Sequence, residues 1–183
     1  MTRITIAMLK IILVYGVISG GIVIGTMMLG LLTSGGQGFF ASEYFGYLMM
    51  LIALSMIFIG IKRYRDLELG GVIKFLPAFG FGLAIAAIAG LIYVCVWEIY
   101  LFSTDYAFIH EYTSGLIEAK KAEGLSGDAL DKFVSEMEDM RTSYAKPYIR
   151  LPMTFMEIFP VGLIISLLSA SLLRNPKLLP AKN

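Results

Sequence analysis

One cysteine, one histidine, one tryptophan and a charged fraction of only 16 % leave this 183-residue chain short of most chemical equipment. Cys95 has no second thiol to meet, which excludes an intramolecular disulfide framework and any Cys–Cys metal or redox motif. The chain holds no Walker loop, serine nucleophile elbow, zinc-protease helix or dinucleotide fingerprint. No catalytic set, cofactor site or metal site is therefore assigned, and the reading leans away from an enzyme. Lys and Arg number 15 against 14 Asp and Glu, so no global field selects nucleic acid or an acidic partner. A soluble domain carries about a quarter charged residues. With 57 % of its residues hydrophobic, this chain has the composition of a membrane protein, and its first partner is the lipid bilayer.

A transmembrane helix needs roughly 20 mostly apolar residues to cross about 30 Å of hydrocarbon. Four runs meet that need, over 11–32, 45–61, 75–102 and 151–173, and they predict an all-α polytopic bundle. The third is the longest and is expected to tilt or to continue past the lipid. Pro77 falls in its first turn, where a missing N–H is no loss. The first run follows Arg3 and Lys10 like a signal peptide, but its apolar core is too long and no small-x-small cleavage site follows, so it reads as an uncleaved span.

Positive charge is retained on the cytoplasmic side. Arg3 and Lys10 precede span one, Lys62, Arg63, Arg65 and Lys74 lie between spans two and three, and Arg174, Lys177 and Lys182 follow span four. The loop from Ser34 to Tyr44 has neither Lys nor Arg, and Gly35-Gly36-Gln37-Gly38 marks a flexible turn within it. Both termini are therefore expected in the cytoplasm. The segment 103–150, with nine acids against six bases, becomes an extracytoplasmic helical insertion within one membrane domain.

Inside that insertion Leu130, Phe133, Val134, Met137, Met140 and Tyr144 recur at helical spacing. Ser126 is the expected N-cap, Gly124 the stop of a preceding helix from about Thr104, and Pro147 and Pro152 the end of the segment. The apolar stripe either packs as a helical hairpin or docks a partner or the lipid headgroups.

The stretch Gly46 to Asp66, closing on Gly60-Ile61-Lys62-Arg63-Tyr64-Arg65-Asp66, is followed by Gly70-Gly71-Val72-Ile73-Lys74-Phe75 and by Leu91-Ile92-Tyr93-Val94-Cys95-Val96-Trp97-Glu98-Ile99-Tyr100. Together they resemble a bacterial inner-membrane family filed as domain-of-unknown-function family 4199, over nearly the whole chain. The resemblance implies four spans, a long helical loop before the last, and a bacterial inner membrane. It brings no activity and no functional residues.

Glu98 and Glu157 are the carboxylates that fall inside the predicted spans, where an unpaired charge is costly. Opposite chain directions put them at similar depth, so both are expected to face the interior close to one another with at least one protonated at neutral pH, where two carboxylates share a proton or bind a cation. Glu98 shares a helical stripe with Leu91, Ala87, Ala84 and Gly80 and is expected to face the bundle. Glu157 shares one with Pro160, Val161, Ile164 and Leu168, its direction open. Pro160 removes a hydrogen bond to the carbonyl of Met156 and would leave a polar notch there. The alternative to a proton or cation site is structural, each acid bonded to Trp97, a Tyr or a Ser/Thr. His110 and Glu43 are weaker candidates, as ligands that would have to join these acids. Arg141, Lys146 and Arg150 would neutralise Glu157 or contact lipid phosphate.

Gly16-x-x-x-Gly20, Gly21-x-x-x-Gly25 and Gly162-x-x-x-Ser166-x-x-x-Ala170 permit close helix approach, inside the bundle or in a homo-oligomer. Two functional classes stay open. One is a non-enzymatic protein that binds or assembles membrane partners, and the other is a proton- or cation-handling protein built on Glu98 and Glu157.

Overall fold

The computed structural model describes residues 3–34 and 42–181. Among them seven helices follow one another and there is no strand: α1 (Arg3–Ser34), α2 (Glu43–Leu54), α3 (Met56–Glu68), α4 (Phe75–Ser103), α5 (Ala107–Ala122), α6 (Asp128–Tyr144) and α7 (Pro147–Leu173). Four segments are long and apolar enough to cross a membrane, Ile4–Leu31, Tyr44–Glu68, Phe75–Ser103 and Pro147–Leu173. The chain is thus an all-α, multi-pass membrane protein, as its apolar runs require. The turn expected at Gly35–Gly38, Lys182 and the side chains of Arg3 and Glu43 lie outside the described residues.

Two spans depart from their expected limits. Span one begins at Ile4 rather than at residue 11, because an exposed Lys10 interrupts the hydropathy without interrupting the helix. Span two runs on to Glu68, so Lys62, Arg63 and Arg65 stand on α3 instead of in a loop. Lys, Arg, Leu and Glu are good helix formers, and the helix outlasts the apolar run. At Ser55 the span changes helix. The Ser55 amide bonds the carbonyls of Leu51 and Ile52, and its hydroxyl donates back to Ile52 at 2.6 Å, a bond that competes with the regular ladder. After α3, Gly70 and Gly71 take φ of +63° and +86°, and the Gly71 amide returns to the Arg65 carbonyl at 2.9 Å. Two successive positive φ values are the reason for two glycines.

The chain divides into two compact units, one of Met1–Val94 with Phe155–Asn183, the other of Cys95–Thr154. Glycine governs packing in the first. A Cβ at Gly20 of α1 would sit 2.6 Å from the Ala89 carbonyl oxygen of α4, and one at Gly162 of α7 would sit 2.6 Å from the Ala86 Cβ. Gly82 and Gly90 of α4 likewise abut Ser166 and Phe155 of α7. The stripe Gly82–Ala86–Gly90 therefore lets α7 approach α4, while Gly16 and Gly20 seat α1 on Ile88 and Ala89. Cβ atoms at Gly21 and Gly25 would meet nothing within 4 Å, so that second glycine pair is not used in this packing.

The face expected for α4 is corrected by the same contacts. Gly80 and Leu91 are exposed and Ala84 and Ala87 half-buried, whereas Ala78, Phe81, Ile85, Ala89 and Tyr93 are buried. Small residues occupy two neighbouring stripes of α4. The one that wins faces Gly162 and Ser166.

In the second unit α5 and α6 pack on each other. Met137 of the expected stripe is buried, as are Ile109 and Thr113 of α5, while Val134 stays exposed. Gly124 stops α5 as expected. With φ of +94° it closes a paired C-terminal turn, its own amide on the Lys121 carbonyl and that of Leu125 on Lys120. The other boundaries move. The α6 N-cap is Gly127, at φ +61° and without a side-chain bond, rather than Ser126. The preceding helix starts at Ala107, not Thr104, because Asp105 and Tyr106 are both left-handed and close α4 through Tyr106 N–H to the Leu101 carbonyl at 2.8 Å. Pro147 opens α7, whereas Pro152 lies inside it. It costs that helix one hydrogen bond, to Tyr148, and does not end it.

Candidate functional site

The two glutamates take different partners. Glu98, near the end of α4, is gripped by Arg150 of α7: Nε donates to Oε1 at 2.6 Å and Nη2 to Oε2 at 2.8 Å. The remaining guanidinium nitrogen donates to the Tyr144 carbonyl at 2.9 Å and to Ala145 at 3.4 Å. The cation lies 4.9 Å from the Tyr106 ring centroid and 5.7 Å from that of Tyr144, so aromatic faces cover what the carboxylate does not. The Arg150 side chain is 3 % exposed and that of Glu98 25 %. The planar fork of arginine matches both carboxylate oxygens, which a lysine would not do.

The left-handed turn at Asp105–Tyr106 serves this arrangement, since it places the Tyr106 ring over the guanidinium. Trp97, expected to bond an acid, instead donates from Nε1 to the Tyr144 hydroxyl at 2.8 Å. It stacks on Tyr100 and meets Phe108 edge-on. Glu98, Arg150, Tyr106, Tyr144 and Trp97 thus form one network in the second unit. Arg150 was expected beside Glu157 or lipid phosphate. It belongs to Glu98.

Glu157 stands in the first unit, roughly 15 Å along α7 at 1.5 Å per residue. Its Oε2 accepts from the Tyr93 hydroxyl at 2.9 Å, and the same hydroxyl lies 3.1 Å from the Met27 sulfur of α1. The residue is exposed, and so are Pro160, Ile164 and Leu168 on its stripe, whereas Gly162, Ser166 and Ala170 point inward. The helix runs through Pro160 without a break. The direction left open by the sequence is thereby given: Glu157 is exposed along its helix, and its carboxyl turns to the buried Tyr93 of α4.

The weaker candidates stand apart. His110 is exposed, and its carbonyl accepts from Arg141, which also donates to Thr113 and Ser114 and pins α6 to α5. Among the described residues no three His, Cys, Asp or Glu come together as a metal-binding group. The Glu43 side chain is outside the described residues.

Arg65 was missed as a site residue. Its side chain is fully buried, with Nε on Asp66 at 2.7 Å, Nη1 on the carbonyls of Leu173 and Leu178, and Nη2 on that of Leu179. Lys62 supplies the second cation to Asp66. The guanidinium therefore fastens the end of α7 and the segment after it to α3. Its place in the Lys-Arg-Tyr-Arg-Asp run was visible, but a cation at the end of a span reads first as a topology signal.

An all-α membrane protein with four spans, a buried arginine tie in each unit and one exposed glutamate within a span is the class these features define. The family model described as protein of unknown function (DUF4199) matches residues 14–175, and the chain belongs to that family. No curated protein and no solved structure gives a match.

Proposed function

We propose that this is a non-enzymatic assembly protein of a bacterial inner membrane which docks the transmembrane helix of a partner on the α7 face around Glu157. The observation that carries the reading is a carboxyl well inside a span, on the exposed side, with one oxygen held by Tyr93 and the other turned to no described partner. Ionisable side chains at membrane depth face a bundle interior or a water-filled cavity and take a polar group as partner, because lipid cannot solvate them. A helix that brings a hydrogen-bond donor to Glu157 completes the shell, and exposed Ile164 and Leu168 supply apolar contact beside it. Proton or cation handling by Glu98 and Glu157 together finds less support, since Glu98 already gives both oxygens to Arg150.

A photo-crosslinking residue at Ile164 tests the reading in cells. The expected result is an adduct with another membrane polypeptide or a second copy, kept in Glu157→Gln and reduced about tenfold in Glu157→Ala, the scale of one interhelical hydrogen bond. Adducts with lipid alone, or a proteoliposome proton or cation flux abolished by Glu157→Gln, overturn it.

The proposed orientation has the termini in the cytoplasm and α5–α6 outside, as the Lys and Arg distribution favours. In a Cys95→Ser background, a cysteine at Glu136 should label from outside intact spheroplasts and one at Lys177 should not. The reverse pattern inverts the topology.

A further inference from the structure

The Lys-Arg-Tyr-Arg-Asp run and the Gly-Gly-Val-Ile-Lys segment are only partly explained by the Arg65 tie. Lys62, Arg65 and Asp66 bond to one another or to the chain after α7. Gly70 and Gly71 make the turn. Val72 is exposed and Ile73 buried as plain apolar residues, which leaves one ring and two charges unexplained: Tyr64, Arg63 and Lys74.

Tyr64 stacks on Phe81 of α4 with ring centroids 4.6 Å apart. Together these rings form one wall of an apolar groove of about 330 Å³, completed by Met8 and Ile12 of α1 and by Gly80 and Ala84 of α4. The groove lies at the end of the spans where α1 begins, α3 ends and α4 begins. Arg63, next to Tyr64, is exposed and reaches the Tyr15 hydroxyl at 3.5 Å, and Lys74, just before α4, is exposed as well. Neither forms an ion pair among the described residues.

We propose that this groove binds one anionic phospholipid, with an acyl chain between Tyr64–Phe81 and α1 and the phosphate on Arg63 and Lys74. The chemistry matches at both ends. A slot with apolar walls takes a hydrocarbon chain, and two unpaired cations, one residue before Tyr64 and three before Pro77 of its lining, favour a net-anionic headgroup over a zwitterionic one. A second protein helix would fit less well. A volume of about 330 Å³ suits an acyl chain and not a helix, whose cylinder with side chains is about 10 Å across.

Gly80 allows a clean test, because a Cβ there would meet nothing within 4 Å. Leucine at that position has room for its Cβ, extends into the slot that Gly80 lines, and favours helix. The full chain is reconstituted in vesicles of equimolar phosphatidylglycerol and phosphatidylcholine, extracted in mild detergent, and its retained lipids are counted by native mass spectrometry. Wild type is expected to retain one phosphatidylglycerol in preference to phosphatidylcholine. Gly80→Leu should lose that lipid with unchanged helicity. Arg63→Gln and Lys74→Gln should each lower the preference about fivefold, the effect of one cation near an anionic headgroup. Equal retention of the two lipids by wild type, undiminished retention by Gly80→Leu, or a preference untouched in the Arg63→Gln/Lys74→Gln double variant each overturns the proposal. The Glu157 face lies outside this groove, so loss of the lipid leaves crosslinking from Ile164 as an independent result.

Discussion

Arg150→Met is expected to destabilise the folded protein by about 3–5 kcal/mol, because it leaves the Glu98 carboxylate without its counter-charge. Glu98→Met should cost a similar amount, for it strands a guanidinium that is 3 % exposed. The informative variant is the double one. A buried ion pair repays little more than its desolvation, and apolar replacement of both partners is often near neutral. Glu98→Met/Arg150→Met should therefore recover most of the loss of either single change. Reversible unfolding in mixed micelles, followed by Trp97 fluorescence, measures the cycle, since Trp97 bonds Tyr144 beside the pair. Additive losses in the double variant would show that the two side chains act independently. Glu98→Gln separates charge from shape. It keeps one acceptor for the fork and should fall between wild type and Glu98→Met.

The second large effect is expected at Arg65. Arg65→Met removes a buried cation that serves Asp66 and three main-chain carbonyls, and the loss should reach about 3–5 kcal/mol, since hydrogen bonds to charged groups are the strong ones. Its distinguishing mark is local. The segment 174–181 should become open to protease and its amides should exchange quickly, while the α5–α6 amides keep their wild-type protection. Arg65→Lys should give an intermediate result, because an ammonium keeps the charge but cannot spread planar donors over Asp66, Leu178 and Leu179 together. A tail as protected in Arg65→Met as in wild type would remove this role.

Length of apolar run made the four spans legible, and punctuation made some of their ends legible. Gly124 stops α5 and Pro77 sits in the first turn of α4 because each obeys a constraint of its own backbone. Ser126 and Pro152 were misread because the competing device was equally local: Gly127 offers a positive φ in place of a side-chain cap, and a helix already begun at Pro147 absorbs one missing bond. The site was harder to read. That the acids needed compensation was evident, but their partners lie far along the chain, and helix phase alone picked the wrong stripe of α4. Small residues on adjacent stripes are resolved only by what the neighbouring helix presents, here Gly162 and Ser166. Arg65 was hidden for another reason. Its charge had a sufficient explanation in topology, so a second role left no trace in composition.

The break at Ser55 bears on how the protein meets membranes of different thickness. Neither α2 nor α3 is long enough to cross hydrocarbon alone, so the joint falls within the span. The α3 side is committed, with Ile57, Gly60 and Ile61 buried. The α2 side packs on α1 and buries Met50, Ala53 and Leu54, while Tyr44, Tyr47, Leu48, Leu51 and Ile52 on its other side are exposed. A serine hydroxyl bonded back to the carbonyl of the preceding turn, as at Ser55, favours a bend in a span, and bending is one way a span meets hydrophobic mismatch. In a thinner bilayer the second span is therefore expected to shorten its reach by bending at Ser55, which makes that serine the adjustable joint of the span.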